Sequence, residues 1–213
     1  VLTSAGFLSS LEQCVTCPSG TSCPVGSGAP KPCLPGSYGA IAKQESCELC
    51  PAGQYQSSSS AIDCLPCKPG SYCPKGASAA LPCEKGSLSS ATDLSDQSEC
   101  SPCPPGSSCS TGSVAPTPCA PGTASASPGS PLCRACPAGR YQPNQNATEC
   151  LPCEKGSHCS EGASAALPCE AGTYSNATNL ASAMHCTGRK KRASIPPSKK
   201  QNFNFINKLN KGT

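Results

Sequence analysis

The sequence predicts a small disulfide-rich fold, an elongated tandem array of irregular cysteine-rich modules with short β-ribbons and little helix. Cysteine supplies 21 of the 213 residues, close to the frequency of roughly one in ten that marks disulfide scaffolds. Leu, Ile, Val and Phe supply only 25 residues, too few to offset the conformational entropy of the chain by burial. The cysteines also recur with a fixed period, which indicates internal repeats.

The cysteines indicate an oxidising compartment. All of them lie between Cys14 and Cys186, and a cytosolic protein would keep such thiols reduced. We therefore expect an extracellular location, either secreted or in the ectodomain of a membrane protein. The alternative is an intracellular zinc-binding cysteine array.

An internal duplication organises the chain. Each cysteine from Cys14 to Cys100 recurs 86 residues later, from Cys100 to Cys186, and the segment GASAALPC occurs twice. This period predicts two cysteine-rich repeat blocks, residues 1–99 and 100–186. A different segment, 187–213, follows them.

A smaller unit repeats inside each block. The motif C-x-x-G occurs ten times, usually followed by Ser or Thr, and in five copies Tyr comes next. A Pro-Gly pair, frequent in this motif, favours a tight turn. We expect ribbons of two to four residues around the Tyr positions, stacked as a quasi-one-dimensional rod.

The C-terminal segment differs in charge. Residues 187–213 hold eight basic and no acidic residues, whereas residues 1–186 hold eight basic and twelve acidic ones. This basic, Asn-rich segment predicts a disordered tail. The run Arg189-Lys190-Lys191-Arg192 suits a proprotein convertase, but the loss of the cysteine period at Arg189 favours translated non-coding sequence.

The beginning of the chain and its hydropathy bear on export. The chain starts at Val1 without a signal peptide, and it contains no apolar run of 18 residues that would span a membrane. A secreted disulfide protein needs an export signal, so we expect this sequence to be a fragment. We expect no membrane contact by this segment.

The residues argue against catalysis. His158 and His185 are the two histidines, and neither lies in a triad-like or metal-like cluster. No nucleophile motif or phosphate-binding loop is present. We therefore predict no enzyme, no cofactor and no metal. The repeat region has no basic excess, so we predict no nucleic-acid partner.

Two Asn-x-Thr sequons predict N-linked glycans in an exported chain. They begin at Asn146 and Asn176, and each lies in a polar interval between cysteines. A Ser/Thr-rich chain of this length would also contain one or two such sequons by chance.

Two segments carry a resemblance to a known family. CPAGQYQSSSSAIDCLPC, residues 50–67, and CPAGRYQPNQNATECLPC, residues 136–153, resemble ephrin-receptor-like cysteine-rich repeats of large extracellular proteins. Those repeats are similar to the first half-module of tumour-necrosis-factor-receptor cysteine-rich domains. The resemblance implies an extended ectodomain used as a spacer or adhesion surface, with extracellular proteins or glycans as partners.

The sequence departs from this family pattern where another residue replaces the Tyr. Five copies do so, which predicts that neighbouring units differ in how they stack. These residues are Ser22, Leu88, Ser108, Ala124 and His158.

The same resemblance implies a disulfide pairing, in which C-x13-C and C-x16-C spacings correspond to the single-bridge half-module. It gives Cys33–Cys47, Cys50–Cys64, Cys83–Cys100, Cys119–Cys133, Cys136–Cys150 and Cys169–Cys186. The remaining C-x5-C pairs are Cys17–Cys23, Cys67–Cys73, Cys103–Cys109 and Cys153–Cys159. For these, crossed patterns spanning x5 and x9 also fit. Cys14 is left to pair with a cysteine upstream of Val1.

We therefore predict an extracellular structural region, a spacer or an adhesion surface, without catalysis. The first alternative is a receptor ectodomain that binds a specific ligand. An exposed apolar patch would mark such a site, but the intervals between cysteines are mostly Ser, Ala and Gly. The second alternative is the zinc array named above, because C-x2-C pairs are common zinc ligands.

Overall fold

A computed structural model describes residues 14–189, and in it these residues form ten short units. Each unit begins at the cysteine of a C-x-x-G motif and contributes one antiparallel two-stranded ribbon. The units, numbered 1 to 10 in chain order, begin at Cys17, Cys33, Cys50, Cys67, Cys83, Cys103, Cys119, Cys136, Cys153 and Cys169.

Every strand is two residues long, at the lower end of the expected range. Odd-numbered strands follow the glycine of a unit, and each pairs with the even-numbered strand that comes next in the chain. The strands β1 to β20 are Thr21–Ser22, Lys31–Pro32, Ser37–Tyr38, Glu48–Leu49, Gln54–Tyr55, Leu65–Pro66, Ser71–Tyr72, Leu81–Pro82, Ser87–Leu88, Ser101–Pro102, Ser107–Ser108, Thr117–Pro118, Thr123–Ala124, Arg134–Ala135, Arg140–Tyr141, Leu151–Pro152, Ser157–His158, Leu167–Pro168, Thr173–Tyr174 and Gly188–Arg189. Within the described residues, two 3₁₀ turns, Gln97–Glu99 and Ala183–His185, directly precede Cys100 and Cys186.

Unit 2 shows how the motif builds its turn. The Ser37 N–H donates to the Leu34 carbonyl at 3.0 Å, with Pro35 and Gly36 between them. Pro35 favours the first central position of such a turn, and Gly36 has φ +86°, which a side chain disfavours. The turn reverses the chain and starts β3.

Disulfides form the core of every unit. The fully buried large side chains are all cysteines, and ten bridges have Cα–Cα distances of 5.5–6.0 Å, within the usual range for bonded pairs. They join the ten pairs that the resemblance and the remaining C-x5-C spacings gave above. Each bridge lies within one unit, so it closes that unit by itself.

Consecutive units are joined by four backbone hydrogen bonds. Between units 2 and 3, the Gly36 N–H donates to the Gln56 carbonyl at 2.7 Å and the Cys50 N–H donates to the Gly36 carbonyl at 3.0 Å. The Ser60 N–H also donates to the Cys33 carbonyl, and the Gly39 N–H to the Ala61 carbonyl, each at 2.8 Å. Equivalent bonds recur at all nine junctions.

Each unit also contacts the unit two places ahead. The Gly36 Cα lies against the carbonyl oxygen of Gly76 in unit 4, so closely that a Cβ on Gly36 would overlap this oxygen. The same approach occurs at the motif glycines of units 1 to 8. The glycine therefore serves both the turn and the stacking.

The expectation that units differ in stacking was wrong. Units with Leu88, Ser108 or Ala124 in place of Tyr form the same four hydrogen bonds as units with Tyr. Backbone groups, which every residue carries, hold the junction, so the side chain at this position does not set the geometry.

The four backbone hydrogen bonds repeated at every junction form a ladder along the chain. This hydrogen-bond ladder also continues across the boundary between the two blocks. The Cys103 N–H of unit 6 donates to the Gly86 carbonyl of unit 5 at 2.8 Å, and the other three junction bonds are present. The division into residues 1–99 and 100–186 thus reflects the 86-residue sequence period, and the hydrogen-bond ladder has no break at this boundary.

The last ribbon departs from the period. Thr173 pairs with Arg189, whereas its counterpart Ser87 pairs with Pro102, so the second strand is shifted by one residue. Pro102 precedes Cys103, which a bridge to Cys109 anchors, whereas Arg189 replaces that cysteine and leaves the register unanchored. The ribbon extends into the segment 187–213, and the disorder predicted for 190–213 lies outside the described residues.

Candidate interaction surfaces

The described residues do not support a metal or catalytic centre. Within residues 14–189, no three His, Cys, Asp or Glu side chains are arranged to hold a metal ion. The cysteines of a C-x2-C pair point to different bridges, since Cys47 bonds back to Cys33 and Cys50 bonds forward to Cys64. The zinc alternative is therefore not supported.

The two histidines belong to different units, His158 to unit 9 and His185 to unit 10. His158 lies in β17 and pairs across the ribbon with Leu167. His185 ends the second 3₁₀ turn, where its Nδ1 is 3.1 Å from the Ser182 hydroxyl. Among residues 14–189, neither histidine hydrogen-bonds to a carboxylate or a cysteine, the partners that acid–base or metal chemistry uses.

A position that the sequence analysis did not single out distinguishes the two kinds of unit. The sixth residue after the first cysteine is the bridge partner in units with a short ring, as with Cys73 in unit 4. In units with a long ring it is a small or polar residue, and most of these are buried: Gly39, Gln56, Ser89, Ser125, Gln142 and Ser175.

The two glutamines at this position hold the long loops. The Gln56 side chain donates to the Asp63 carbonyl at 2.9 Å and accepts from the Ser58 N–H at 2.9 Å. Gln142 repeats this arrangement with the Glu149 carbonyl and the Asn144 N–H. The sequence signal for these glutamines was their position, six residues after Cys50 and Cys136. That position becomes informative only when it is compared with the short-ring units, in which a bridged cysteine occupies it.

An apolar groove crosses units 1 and 2. Leu34 and Leu49 are 67% and 56% exposed, and Pro24, Pro32 and Pro35 line the same groove. Val25 and Ile41 are also exposed nearby in the chain. The composition of the loops, mainly Ser, Ala and Gly, did not predict this surface, because its Leu and Pro residues flank the cysteines.

Unit 7 has a polar hollow at the position equivalent to the first block's Tyr38. It is lined by Ala124, Ser127, Ser130 and Arg134, together with the buried Ser125. Ala124 and Ser130 are smaller than their counterparts Tyr38 and Gln44. The Ser125 hydroxyl is buried and makes no hydrogen bond to a described residue.

Two exposed acidic groups shape the local electrostatics of the first block. The Tyr38 hydroxyl donates to Glu48 at 2.9 Å, and this hydrogen bond, with the charge of Glu48, raises the pKa of Tyr38. Asp96 accepts from the Ser98 N–H at 2.9 Å, which lowers the pKa of Asp96. The second block has Ala124, Arg134 and Ser182 at the positions of Tyr38, Glu48 and Asp96.

The sequon asparagines lie in different parts of their units. Asn146 and Asn176 are both exposed, at the tenth residue after Cys136 and the seventh after Cys169. Cys14, which is half-buried, forms no disulfide among residues 14–189.

Two segments of the chain match models of known protein families. Residues 36–80 match the model described as tyrosine-protein kinase ephrin type A/B receptor-like, and residues 136–173 match the TNFR/NGFR cysteine-rich region. These matches confirm the resemblance to ephrin-receptor-like and tumour-necrosis-factor-receptor-like repeats. No curated protein matches the chain.

The fold is a tandem array of disulfide-rich modules, and the two matched segments resemble extracellular receptor-type cysteine-rich repeats. The ten bridges and both family models point to an extracellular location. The families are non-catalytic, in agreement with the residues. Residues 14–189 contain no helix of the length and apolarity that a membrane span requires.

Proposed function

We propose that this chain is a structural repeat region that spaces or presents other parts of a larger extracellular protein. The observation that carries the proposal is the backbone ladder, which has the same four bonds at each of nine junctions. An array of this kind transmits length, because each unit adds one increment and packs against the units one and two places away.

The length of deletion variants tests this proposal. Removing residues 101–186 joins Cys100 to Thr187 and deletes one full period, and small-angle scattering should show the maximum dimension of the rod falling by roughly half. Removing residues 15–100, which joins Cys14 to Ser101, is the matched control and should shorten the rod equally. A particle whose dimension does not follow the number of units would contradict a spacer.

The groove of units 1 and 2 favours a second candidate, a ligand-binding ectodomain. Exposed Leu beside three Pro side chains provides the apolar anchor positions that protein interfaces use. The same groove is weaker in the second block, where Ala120 and Ala135 replace Leu34 and Leu49.

Binding to an array of purified extracellular domains tests the second candidate. A partner found this way should bind Leu34→Ala/Leu49→Ala at least tenfold more weakly, as expected when buried anchors are truncated. Leu151→Ala/Leu167→Ala, which truncates two exposed Leu of the second block, should leave affinity unchanged. Equal binding by both variants would argue against the groove.

A further inference from the structure

We propose that the second block, and not the first, carries N-linked glycans, one at Asn146 and one at Asn176. Both sequons lie in the second block, and their counterparts in the first are Ser60-Ala61-Ile62 and Ser90-Ala91-Thr92, which lack the acceptor asparagine. The inference rests on the extracellular location in the proposed function but is independent of the spacer role.

The fold gives no structural reason for an asparagine at position 176. Asn176 is exposed, and its side chain makes no hydrogen bond to any residue of 14–189. The Ala177 N–H donates to the Ser175 hydroxyl at 3.2 Å, a local turn that Ser89 and Ala91 also form in the first block. Since Ser90 occupies the same place there, the asparagine adds an acceptor amide to an otherwise equivalent exposed loop.

Asn146 has a structural role that remains compatible with a glycan. Its φ is +58°, its N–H donates to the Cys119 carbonyl at 2.9 Å, and its Oδ1 accepts from the Ser107 hydroxyl at 3.1 Å. Its Nδ2 makes no hydrogen bond to a described residue. Ser60 adopts the same φ of +58°, so the backbone conformation does not require an asparagine.

Glycan transfer uses the asparagine Nδ2, the atom that makes no hydrogen bond to a described residue at either site. Nδ2 attacks C1 of a lipid-diphosphate-linked oligosaccharide, the N–C1 bond forms as the C1–O bond to diphosphate breaks, and Nδ2 loses one proton. The lipid diphosphate is the leaving group. At Asn146 the Oδ1 keeps its lone pairs, so the hydrogen bond from Ser107 persists in the glycosylated side chain.

The consequence is a surface that differs between the two halves. Thr148 of the first sequon occupies the position where the first block exposes Ile62. Glycans would cover loops of units 8 and 10, whereas the apolar groove of units 1 and 2 would stay uncovered. The protein would then present one glycosylated half and one bare half to its surroundings.

The test uses the full chain secreted from glycosylating cells behind an export leader. Peptide-N-glycosidase in heavy-oxygen water should convert both asparagines to labelled aspartate, and intact mass should fall by two glycans. Thr148→Ala and Thr178→Ala should each lose one glycan while keeping the asparagine. Ser90→Asn completes the sequence Asn-Ala-Thr in the first block and should gain one glycan, which shows that the bare half lacks only the acceptor.

Two failures are distinguishable in this experiment. A chain that is secreted with its disulfides formed but carries no glycan at Asn146 and Asn176 overturns this inference and leaves the proposed function standing. A chain that stays in the cell with free thiols contradicts the extracellular location, and the inference is overturned with it.

Discussion

The two blocks share one backbone and differ in the surface they expose. The ladder, the ring order and the positive-φ positions repeat with the 86-residue period. Leu65 corresponds to another exposed leucine, Leu151, but five other exposed apolar residues of units 1 to 3 have small or polar counterparts in the second block. The pairs are Val25 and Thr111, Leu34 and Ala120, Ile41 and Ser127, Leu49 and Ala135, and Ile62 and Thr148.

This difference shows which interactions determine the fold. Disulfides and main-chain hydrogen bonds hold each unit, and neither depends on the exposed side chains. Substitutions on the surface therefore cost little stability. The two blocks can diverge in what they bind while keeping the same main-chain hydrogen bonds. Four changes, ordered by expected effect, test how equivalent the blocks are.

Removal of matched bridges should have the largest effect. Cys50→Ser/Cys64→Ser and Cys136→Ser/Cys150→Ser each open a ring of the same size and should each lower the free energy of unfolding by about 3 kcal/mol. Denaturant unfolding followed by circular dichroism measures this. Unequal losses would show that the blocks differ in their interior, and an unchanged hydrodynamic radius after full reduction would contradict the disulfide core.

Two motif glycines at equivalent positions separate the energetic cost of a left-handed backbone from the cost of disturbing the stacking contact. Gly86 and Gly172 have φ of +89° and +88°. A Cβ added at Gly86 would overlap the Gly129 carbonyl oxygen, whereas a Cβ added at Gly172 would meet no described residue within 4 Å beyond its chain neighbours. Gly172→Ala should cost about 1–2 kcal/mol for its left-handed backbone, and Gly86→Ala clearly more. Equal losses in denaturant unfolding would mean that the stacking contact contributes nothing.

Two buried serines, each the sixth residue after the first cysteine of its unit, should change stability in opposite directions when replaced by alanine. The Ser125 hydroxyl has no partner among the described residues, so Ser125→Ala should stabilise by about 1 kcal/mol by removing an unpaired polar group. Ser89→Ala, the control, removes the acceptor of the Ala91 N–H and should destabilise by about 1 kcal/mol. Thermal unfolding decides, and a destabilised Ser125→Ala would indicate that this hydroxyl has a partner.

Tyrosine titration gives the smallest effect. The hydrogen bond to Glu48 raises the pKa of Tyr38, so the stability that this pair contributes is present below the ordinary tyrosine pKa of about 10 and is lost as pH rises through the raised value. In spectrophotometric titration, Glu48→Gln should lower the Tyr38 pKa. Glu45→Gln, in the same loop, should not, and a shift with both variants would contradict the pairing.

Much of the fold could be predicted from the sequence. The spacing of C-x-x-G, the scarcity of large apolar residues and the 86-residue period indicated short ribbons and tandem units, and the structure contains them. The resemblance implied the C-x13-C and C-x16-C bridges only. The C-x5-C pairs were what remained, with crossed patterns left open, and the structure contains them as short rings. Gln56 and Gln142 could not be identified in advance, because their role appears only when their hydrogen bonds to the Asp63 and Glu149 carbonyls are seen.

What the sequence determined by itself is local: the turn at each Pro-Gly, the oxidised cysteines and the repetition. The tertiary structure decided how units meet, by four main-chain bonds at each junction and by the approach of Gly36 to Gly76 two units away. It also decided which apolar side chains remain exposed. The reason is physical, since main-chain donors and acceptors are the same in every residue, and their pairing across units leaves no pattern in residue type.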